Sequence, residues 1–176
     1  MAELTTALAG AVTVEDVQRV LRTTVRTALA AHGATVVLLD GDQCYYADED
    51  SMSPLWKGQR FPAASCISGW AMEHRQAVAI HNVRTDPRIP QAAYRPTFVR
   101  SLLIAPILRP STVGALGAYW ATRHHATDHE VGTLEAIAAA AGEAFDRFLC
   151  GRPPNDRETV GTQADRRARR GTGLVG

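Results

Sequence analysis

The segment from residue 61 to residue 108 constrains the fold most, because its sequence pattern changes twice, from helical to proline-containing and then to continuously apolar. It begins with an amphipathic pattern at residues 67–75, with Ser65 or Ser68 as a possible cap, which is typical of a two-turn helix. Three prolines between residues 84 and 100 then remove backbone donors and prevent regular pairing. The run Ser101–Leu108 is continuously apolar, which predicts a strand buried on both faces.

The proline-containing connector, roughly residues 84–100, is too long to be an ordinary loop. Connections of more than about 12 to 15 residues are uncommon inside compact domains and are often functional lids. This one carries Ile89, Tyr94 and Phe98, so we expect it to fold back onto apolar surface. The pattern therefore predicts a pocket between the connector and a sheet.

Helices are predicted at both ends of the domain. Thr13 and Asp16 resemble a capping box, and apolar residues then recur at helical spacing to about Ala31. Thr127 is typical of the N-cap of a second long helix, which we expect to reach Leu149. A turn at residues 40–42 predicts a hairpin of strands 35–39 and 43–47. The remaining predicted strands lie at residues 58–61, 77–83 and 112–121, where Gly114 and Gly117 indicate a bulge or a close backbone approach.

Composition excludes several classes of protein. The chain has 176 residues and a net charge of +1, which favours neither a nucleic-acid nor a membrane partner. Residues 1–11 lack a secretory signal pattern, and the three cysteines have no metal-like spacing, so we expect a cytoplasmic protein without a metal site. The acidic triplet at residues 48–50 is interpreted as a solvated loop. We expect an N-terminal extension at 1–12, one domain at 13–150 and a disordered, Arg-rich tail at 151–176.

In this order, the elements resemble a GAF domain over roughly residues 14–149. The resemblance depends on motifs that are degenerate individually but fairly specific in sequence. They are Ile67-Ser68-Gly69-Trp70-Ala71, residues 78–83, Asp86-Pro87-Arg88, residues 100–107, Val113-Gly114-Ala115-Leu116 and Thr127-Asp128-His129-Glu130. Two positions depart from the family pattern: Arg75 stands where glycine is common, and Asn82 where aspartate is common.

The resemblance implies an α+β fold of the profilin-like, PAS-related kind. We expect a central antiparallel sheet of about six strands, terminal helices on one face, and a helix and connector over a pocket on the other. Similar domains lie beside sensor histidine kinases. The resemblance thus implies a regulatory, non-catalytic module that binds a small molecule of unknown identity. It is expected to form a homodimer through its terminal helices and to signal to a partner protein.

The expected ligand-binding residues combine aromatic walls with a few polar groups. They are Phe61, Cys66, Trp70, Tyr94, Phe98, Ser101 and Trp120.

Two alternatives to the sensory module remain open, and the sequence identifies no cofactor. A thiol enzyme of the free methionine sulfoxide reductase type could use Cys66, near a predicted helix N-terminus, with Cys44. However, residues 67–149 contain no cysteine to supply the thiol which that chemistry needs in the connector. The absence of a cysteine from this segment also argues against a bilin, which would be attached through one. Haem would need a histidine such as His81 as its ligand. The second alternative to the sensory module is an interaction scaffold whose cavity is filled by Trp and Tyr side chains.

Overall fold

The computed structural model describes residues 1–149, whose centre is a six-stranded antiparallel sheet in the order β3-β2-β1-β6-β5-β4. This confirms the expected α+β class and sheet. The strands are β1 (Gly33–Asp40), β2 (Gln43–Ser51), β3 (Arg60–Pro62), β4 (Val78–Ile80), β5 (Ser101–Leu108) and β6 (Thr112–Trp120). The helices are α1 (Ala2–Ala9), α2 (Val14–Ala28), α3 (Ile67–His74), α4 (Gln91–Tyr94) and α5 (Asp128–Leu149), with a 3₁₀ turn at Ala63–Ser65. The tail predicted at 151–176 lies outside the described residues.

The sheet separates two apolar cores. Strands β5 and β6 pair with Ser101 opposite Trp120, and successive side chains point to opposite faces. Leu103 and its alternates pack against the terminal helices, in the helix-side core. Leu102 and Ile104 pack beneath α3 and the connector, in the connector-side core. The continuously apolar sequence of β5 is thus explained by burial on both faces.

Capping boxes begin both long helices, as the sequence predicts. The hydroxyl of Thr13 accepts the Asp16 backbone N–H at 3.1 Å, and the Asp16 carboxylate accepts the Thr13 N–H at 3.1 Å. Thr127 and Glu130 make the same reciprocal pair at the start of α5. These bonds satisfy backbone donors that have no partner inside the helix. Among residues 1–149, no helix combines the length and apolar content needed to cross a bilayer.

The acidic triplet is not a solvated loop, because β2 continues to Ser51 and includes it. Asp48 is only 7% exposed, and its carboxylate contacts Arg22 Nε at 2.7 Å and Lys57 Nζ at 2.6 Å. Arg26 forms a second ion pair with Asp50. Arg22 and Arg26 both project from α2, so two of the three charges that contact the triplet come from a distant part of the sequence.

Two glycine-related predictions are explained by local geometry. A Cβ on Gly114 would lie 2.1 Å from the Val37 carbonyl oxygen, which confirms the predicted close approach of β6 and β1. Arg75, which follows α3, has φ of 52° in the left-handed region. That conformation favours glycine, which is the residue that the family resemblance leads one to expect here.

We therefore predict that Arg75→Gly stabilises the protein, although it removes a side chain. The free energy of unfolding should rise by about 1 kcal/mol, because the left-handed strain is relieved. Glu73→Gly, two residues earlier on the exposed side of α3, should lower it by about 1 kcal/mol. Urea denaturation of both variants measures the free energy of unfolding. An equal decrease in the two variants would contradict the assignment of backbone strain to Arg75.

Candidate functional site

The connector covers one face of the sheet. Its own side chains Ile89, Tyr94 and Val99 are buried against the sheet in the connector-side core. Two hydrogen bonds hold it: the Gln91 amide donates to the Val83 carbonyl at 2.7 Å, and the Trp56 indole donates to the Ala93 carbonyl at 3.3 Å. The predicted strand 77–83 ends early, at Ile80. The Asn82 side chain instead accepts the Arg84 N–H at 3.1 Å and begins the connector.

Trp56 is the centre of an aromatic cluster between connector and sheet. Its ring centroid lies 4.8 Å from that of Tyr94, 5.4 Å from that of Tyr46 and 5.6 Å from that of Tyr119. Phe61 extends the cluster, edge-on to Tyr46 at 5.6 Å. Aromatic rings thus occupy much of the space where the sequence predicts a pocket, and they form its walls.

The position of Trp56 depends on Glu49. One Glu49 carboxylate oxygen accepts the backbone N–H of Leu55, and the other accepts those of Trp56 and Lys57, each at 2.9 Å. A carboxylate that accepts three backbone N–H groups fixes the loop through charge-assisted hydrogen bonds. Trp56 and Glu49 were missed as site residues, since a tryptophan in a polar loop and an acid in an acidic run carry no positional signal. Tyr46 and Tyr119 were also missed, although both lie on predicted strands.

The three tyrosine hydroxyls in this core differ in their partners. Tyr46 is hydrogen-bonded to Ser68 Oγ at 3.3 Å, and Tyr119 to Thr35 Oγ1 at 3.0 Å. The Tyr94 side chain is only 2% exposed, and its buried hydroxyl has no hydrogen-bond partner among residues 1–149. Burial, reinforced by the neighbouring Tyr119 and Cys66, raises the pKa of Tyr94 well above its usual value. The hydroxyl therefore stays neutral and is able to donate a hydrogen bond.

A surface depression of about 300 Å³ lies beside this cluster. It separates the connector from the loop before β3, and the indole of Trp56 divides it from the interior. Its lining includes Leu55, Trp56, Gln59, Phe61, Ala93 and Pro96. Polar and apolar groups therefore both contribute to the lining of this depression.

Five of the seven predicted ligand-binding residues lie on the connector side. Phe61, Cys66, Tyr94 and Phe98 belong to the connector-side core or pack against it. Trp70 lies at its edge, where its ring stacks on His74 with centroids 4.1 Å apart and the Arg88 guanidinium lies 5.0 Å from its centre.

Ser101 and Trp120 lie on the opposite side of the sheet from the other five. Trp120 packs in the helix-side core, against His124. Ser101 is paired with Trp120 in the sheet, and its hydroxyl donates to the Thr122 carbonyl at 2.8 Å. Successive side chains of a strand face opposite sides of the sheet, and each of these residues is next to one that faces the connector. Both therefore point to the helix side.

The cap of α3 is Cys66, not Ser65 or Ser68. Its sulfur accepts the Gly69 backbone N–H at 3.4 Å. A Cβ on Gly69 would lie 1.9 Å from the Ala63 carbonyl oxygen, so the 3₁₀ turn is pressed against the start of the helix. Cys44 lies on β2 and is buried in the same connector-side core.

The histidines considered as haem ligands do not converge. His81, the histidine named above for haem, is exposed and stacks on His125 with centroids 4.5 Å apart, so it does not face the pocket. His74 stacks on Trp70, and His124 bonds to Glu130 at 2.9 Å. Within residues 1–149, no three His, Cys, Asp or Glu side chains are grouped as a metal site requires.

Comparison with known proteins gives a consistent family and fold. A family model described as GAF domain matches residues 11–146. Among curated proteins, none matches significantly. One similar structure is the GAF domain of an Acinetobacter phosphoenolpyruvate-protein phosphotransferase, with 14% identity, a TM-score of 0.77, and 88% of this chain and 95% of that one covered.

Two further similar structures come from proteins of different activity. The free methionine-R-sulfoxide reductase of Neisseria meningitidis, solved with its substrate, is 16% identical with a TM-score of 0.73, covering 86% of this chain and 89% of that one. A domain of a putative two-component sensor histidine kinase from Sinorhizobium meliloti is 16% identical with a TM-score of 0.62, covering 79% and 94%. At these identities the likeness shows the fold alone.

The unpartnered Tyr94 hydroxyl gives a prediction for ligand-free protein, prepared by refolding from denaturant. Tyr94→Phe should leave the free energy of unfolding unchanged or raise it by up to about 1 kcal/mol, because no hydrogen bond is lost. Tyr119→Phe should lower it by about 1 kcal/mol, since Thr35 loses its partner. Chemical denaturation measures both, and an equal loss in Tyr94→Phe would show that this hydroxyl is already satisfied.

Proposed function

Because this chain belongs to the GAF domain family, we propose that it is a non-catalytic regulatory module that binds a small molecule beneath its connector. The binding site comprises the aromatic cluster around Trp56 together with the adjoining depression. The ligand class that fits these walls is a compact, largely apolar or aromatic molecule with one hydrogen-bonding group.

The observation that carries this proposal is the buried, unpartnered hydroxyl of Tyr94. Leaving a buried hydroxyl without a partner costs roughly 1 to 3 kcal/mol, so a hydrogen bond from this group to a bound molecule would be favourable. A ligand acceptor atom that reaches this hydroxyl recovers that energy. Entry requires the Trp56 ring to move, and its indole contact with the Ala93 carbonyl couples that movement to the connector.

Occupancy can reach the opposite face through β6. Tyr119 faces the connector-side core, and the next residue, Trp120, faces the helix-side core. A ligand that displaces the Tyr119 ring therefore acts on a strand that also supports the terminal helices. The ligand shifts the helix arrangement only to the extent that it binds one arrangement more tightly than the other.

We further propose that the signal passes to a second copy of the chain, and from there to a partner protein. A groove of about 840 Å³ between α1, α2 and α5 supports a dimer through the terminal helices. Small and apolar side chains line it, which permits close approach of another helix. They include Leu4, Ala7, Ala28, Gly132 and Ala136.

Native mass spectrometry of freshly purified protein tests the ligand proposal. We expect a bound small molecule, and in Tyr94→Phe its affinity should fall about tenfold, the equivalent of one hydrogen bond. Tyr45→Phe is the matched control, because Tyr45 lies on the opposite face of β2 beneath Arg60, and it should retain the ligand.

Two results would instead support the alternatives. Catalytic consumption of free methionine sulfoxide that disappears in Cys66→Ser would identify a thiol enzyme. Protein without any bound molecule, whose mass does not change in the presence of cell metabolites, would favour an interaction scaffold with a core filled by aromatic rings.

The dimer is tested by a charge placed in the groove. Ala136→Lys should shift the protein from dimer to monomer in size-exclusion chromatography with light scattering, because burying the ammonium group is costly. Ala79→Lys, on the exposed side of edge strand β4, should leave the dimer intact. A dimer that persists in Ala136→Lys would place the interface elsewhere.

A further inference from the structure

The loop at residues 52–59, between β2 and β3, contains the only lysine of the sequence. Lys57 is held at two points. Its backbone N–H donates to the Glu49 carboxylate at 2.9 Å, and its ammonium group lies 2.6 Å from the Asp48 carboxylate. Asp48 and Glu49 are consecutive in β2, and successive side chains of a strand point to opposite faces of the sheet. Lys57 therefore connects the loop to both faces.

The pairing of β2 with β1 shows which acid belongs to which face. Asp48 lies opposite Val36, which is part of the helix-side core. Glu49 lies opposite Thr35, whose hydroxyl is bonded to Tyr119 in the connector-side core. A shift of register in β2 just before Asp48 turns its side chain to the helix side. The loop thus passes the edge of the sheet, with its backbone bound on the connector side and its charge bound on the helix side.

Arg22 contacts the same two residues from α2. Its Nε lies 2.7 Å from the Asp48 carboxylate, and a second guanidinium nitrogen donates to the Glu49 carbonyl at 3.0 Å. Because Asp48 is only 7% exposed, its charge is compensated by Arg22 and Lys57 together. Removing one cation leaves a mostly buried carboxylate short of positive charge, which is costly. The carboxylate then turns toward water, and the contact with its other partner changes.

The residue before this lysine is the tryptophan at the centre of the aromatic cluster. The Trp56 backbone N–H donates to Glu49 at 2.9 Å, and its indole donates to the Ala93 carbonyl of the connector at 3.3 Å. A movement of the Trp56 ring and backbone is therefore passed directly to Lys57. The contacts run without a gap from the connector to the Trp56 loop, and from there through Asp48 to α2.

We propose that Asp48 couples the ligand site to α2, because its bridge between Arg22 and Lys57 makes the positions of the Trp56 loop and of α2 depend on each other. This regulation rests on the proposed function, in which Trp56 moves to admit the ligand. It passes round the edge of the sheet and is separate from the route through β6. Since α2 also lines the groove assigned to the second copy, the coupling is reciprocal. Dimer formation changes ligand affinity by the same factor as the ligand changes dimer affinity.

Hydrogen exchange in the full chain, refolded without ligand, tests the coupling through three protons. They are the backbone N–H groups of Leu55 and Trp56 and the indole N–H of Trp56, which Trp56→Phe identifies in the NMR spectrum. Arg22→Met changes only α2, yet it should speed all three exchanges about tenfold, because the loop opens more often. Arg19→Met is the matched control. Arg19 lies on the exposed side of α2 and pairs with Asp16, so the exchange rates should change less than about twofold.

A second set of variants tests the route through Asp48. Asp48→Asn, which keeps the shape of the side chain, should speed the three exchanges about as much as Arg22→Met. In a Lys57→Met background, Arg22→Met should add less than about twofold, since the bridge is already broken. Acetylation of the folded protein neutralises Lys57 without a substitution, and it should have the same effect as Lys57→Met. Circular dichroism confirms that each variant is folded.

Three results would overturn the inference. Equal exchange in Arg22→Met and Arg19→Met would show that α2 does not influence the loop. A tenfold effect of Arg22→Met that persists after Lys57 is neutralised would exclude the bridge as the route. An equal rise in the exchange of Leu116, in the centre of β6, would show that unfolding of the whole domain exposes the loop. Native mass spectrometry tests the ligand proposal separately, so a failure of either proposal is recognised by itself.

Discussion

The two-residue alternation of β5 and β6 is the constraint on which both cores depend. Each strand is buried on both faces, so the register of Ser101 with Trp120 decides which side chains meet the terminal helices and which meet the connector. A slip of one residue would exchange the two sets. Close approach at Gly114 keeps β6 against β1, so that the alternation continues across the centre of the sheet.

The connector covers one face of this sheet and is held there by specific polar contacts. Glu49 positions Trp56, Trp56 donates to the connector at Ala93, and the aromatic rings beneath it cover the sheet. The hydroxyls of Tyr46 and Tyr119 are satisfied within the protein, whereas that of Tyr94 is not. The proposed binding site depends on that difference, because the Tyr94 hydroxyl is the one of the three that could donate a hydrogen bond to a ligand.

The sequence contained most of the fold and only part of the site. Capping pairs and strand alternation are local, so Thr13, Thr127 and the elements they begin could be predicted directly. Trp120 was placed on the wrong face because its strand is apolar on both sides and alternation there carries no polarity signal. The burial of Asp48 depends on Arg22 in α2, and the position of Cys44 opposite Phe61 depends on the pairing of β2 with β3. Such long-range contacts leave no mark on the spacing of residues.

A high-resolution crystal structure of protein purified without refolding tests the account most directly, through the electron density around the Tyr94 hydroxyl. The account predicts a bound molecule larger than water within hydrogen-bond distance of that oxygen, with the Trp56 ring moved to admit it. A lone water there, or a hydrogen bond from Tyr94 to another protein group with the aromatic cluster closed, would contradict it.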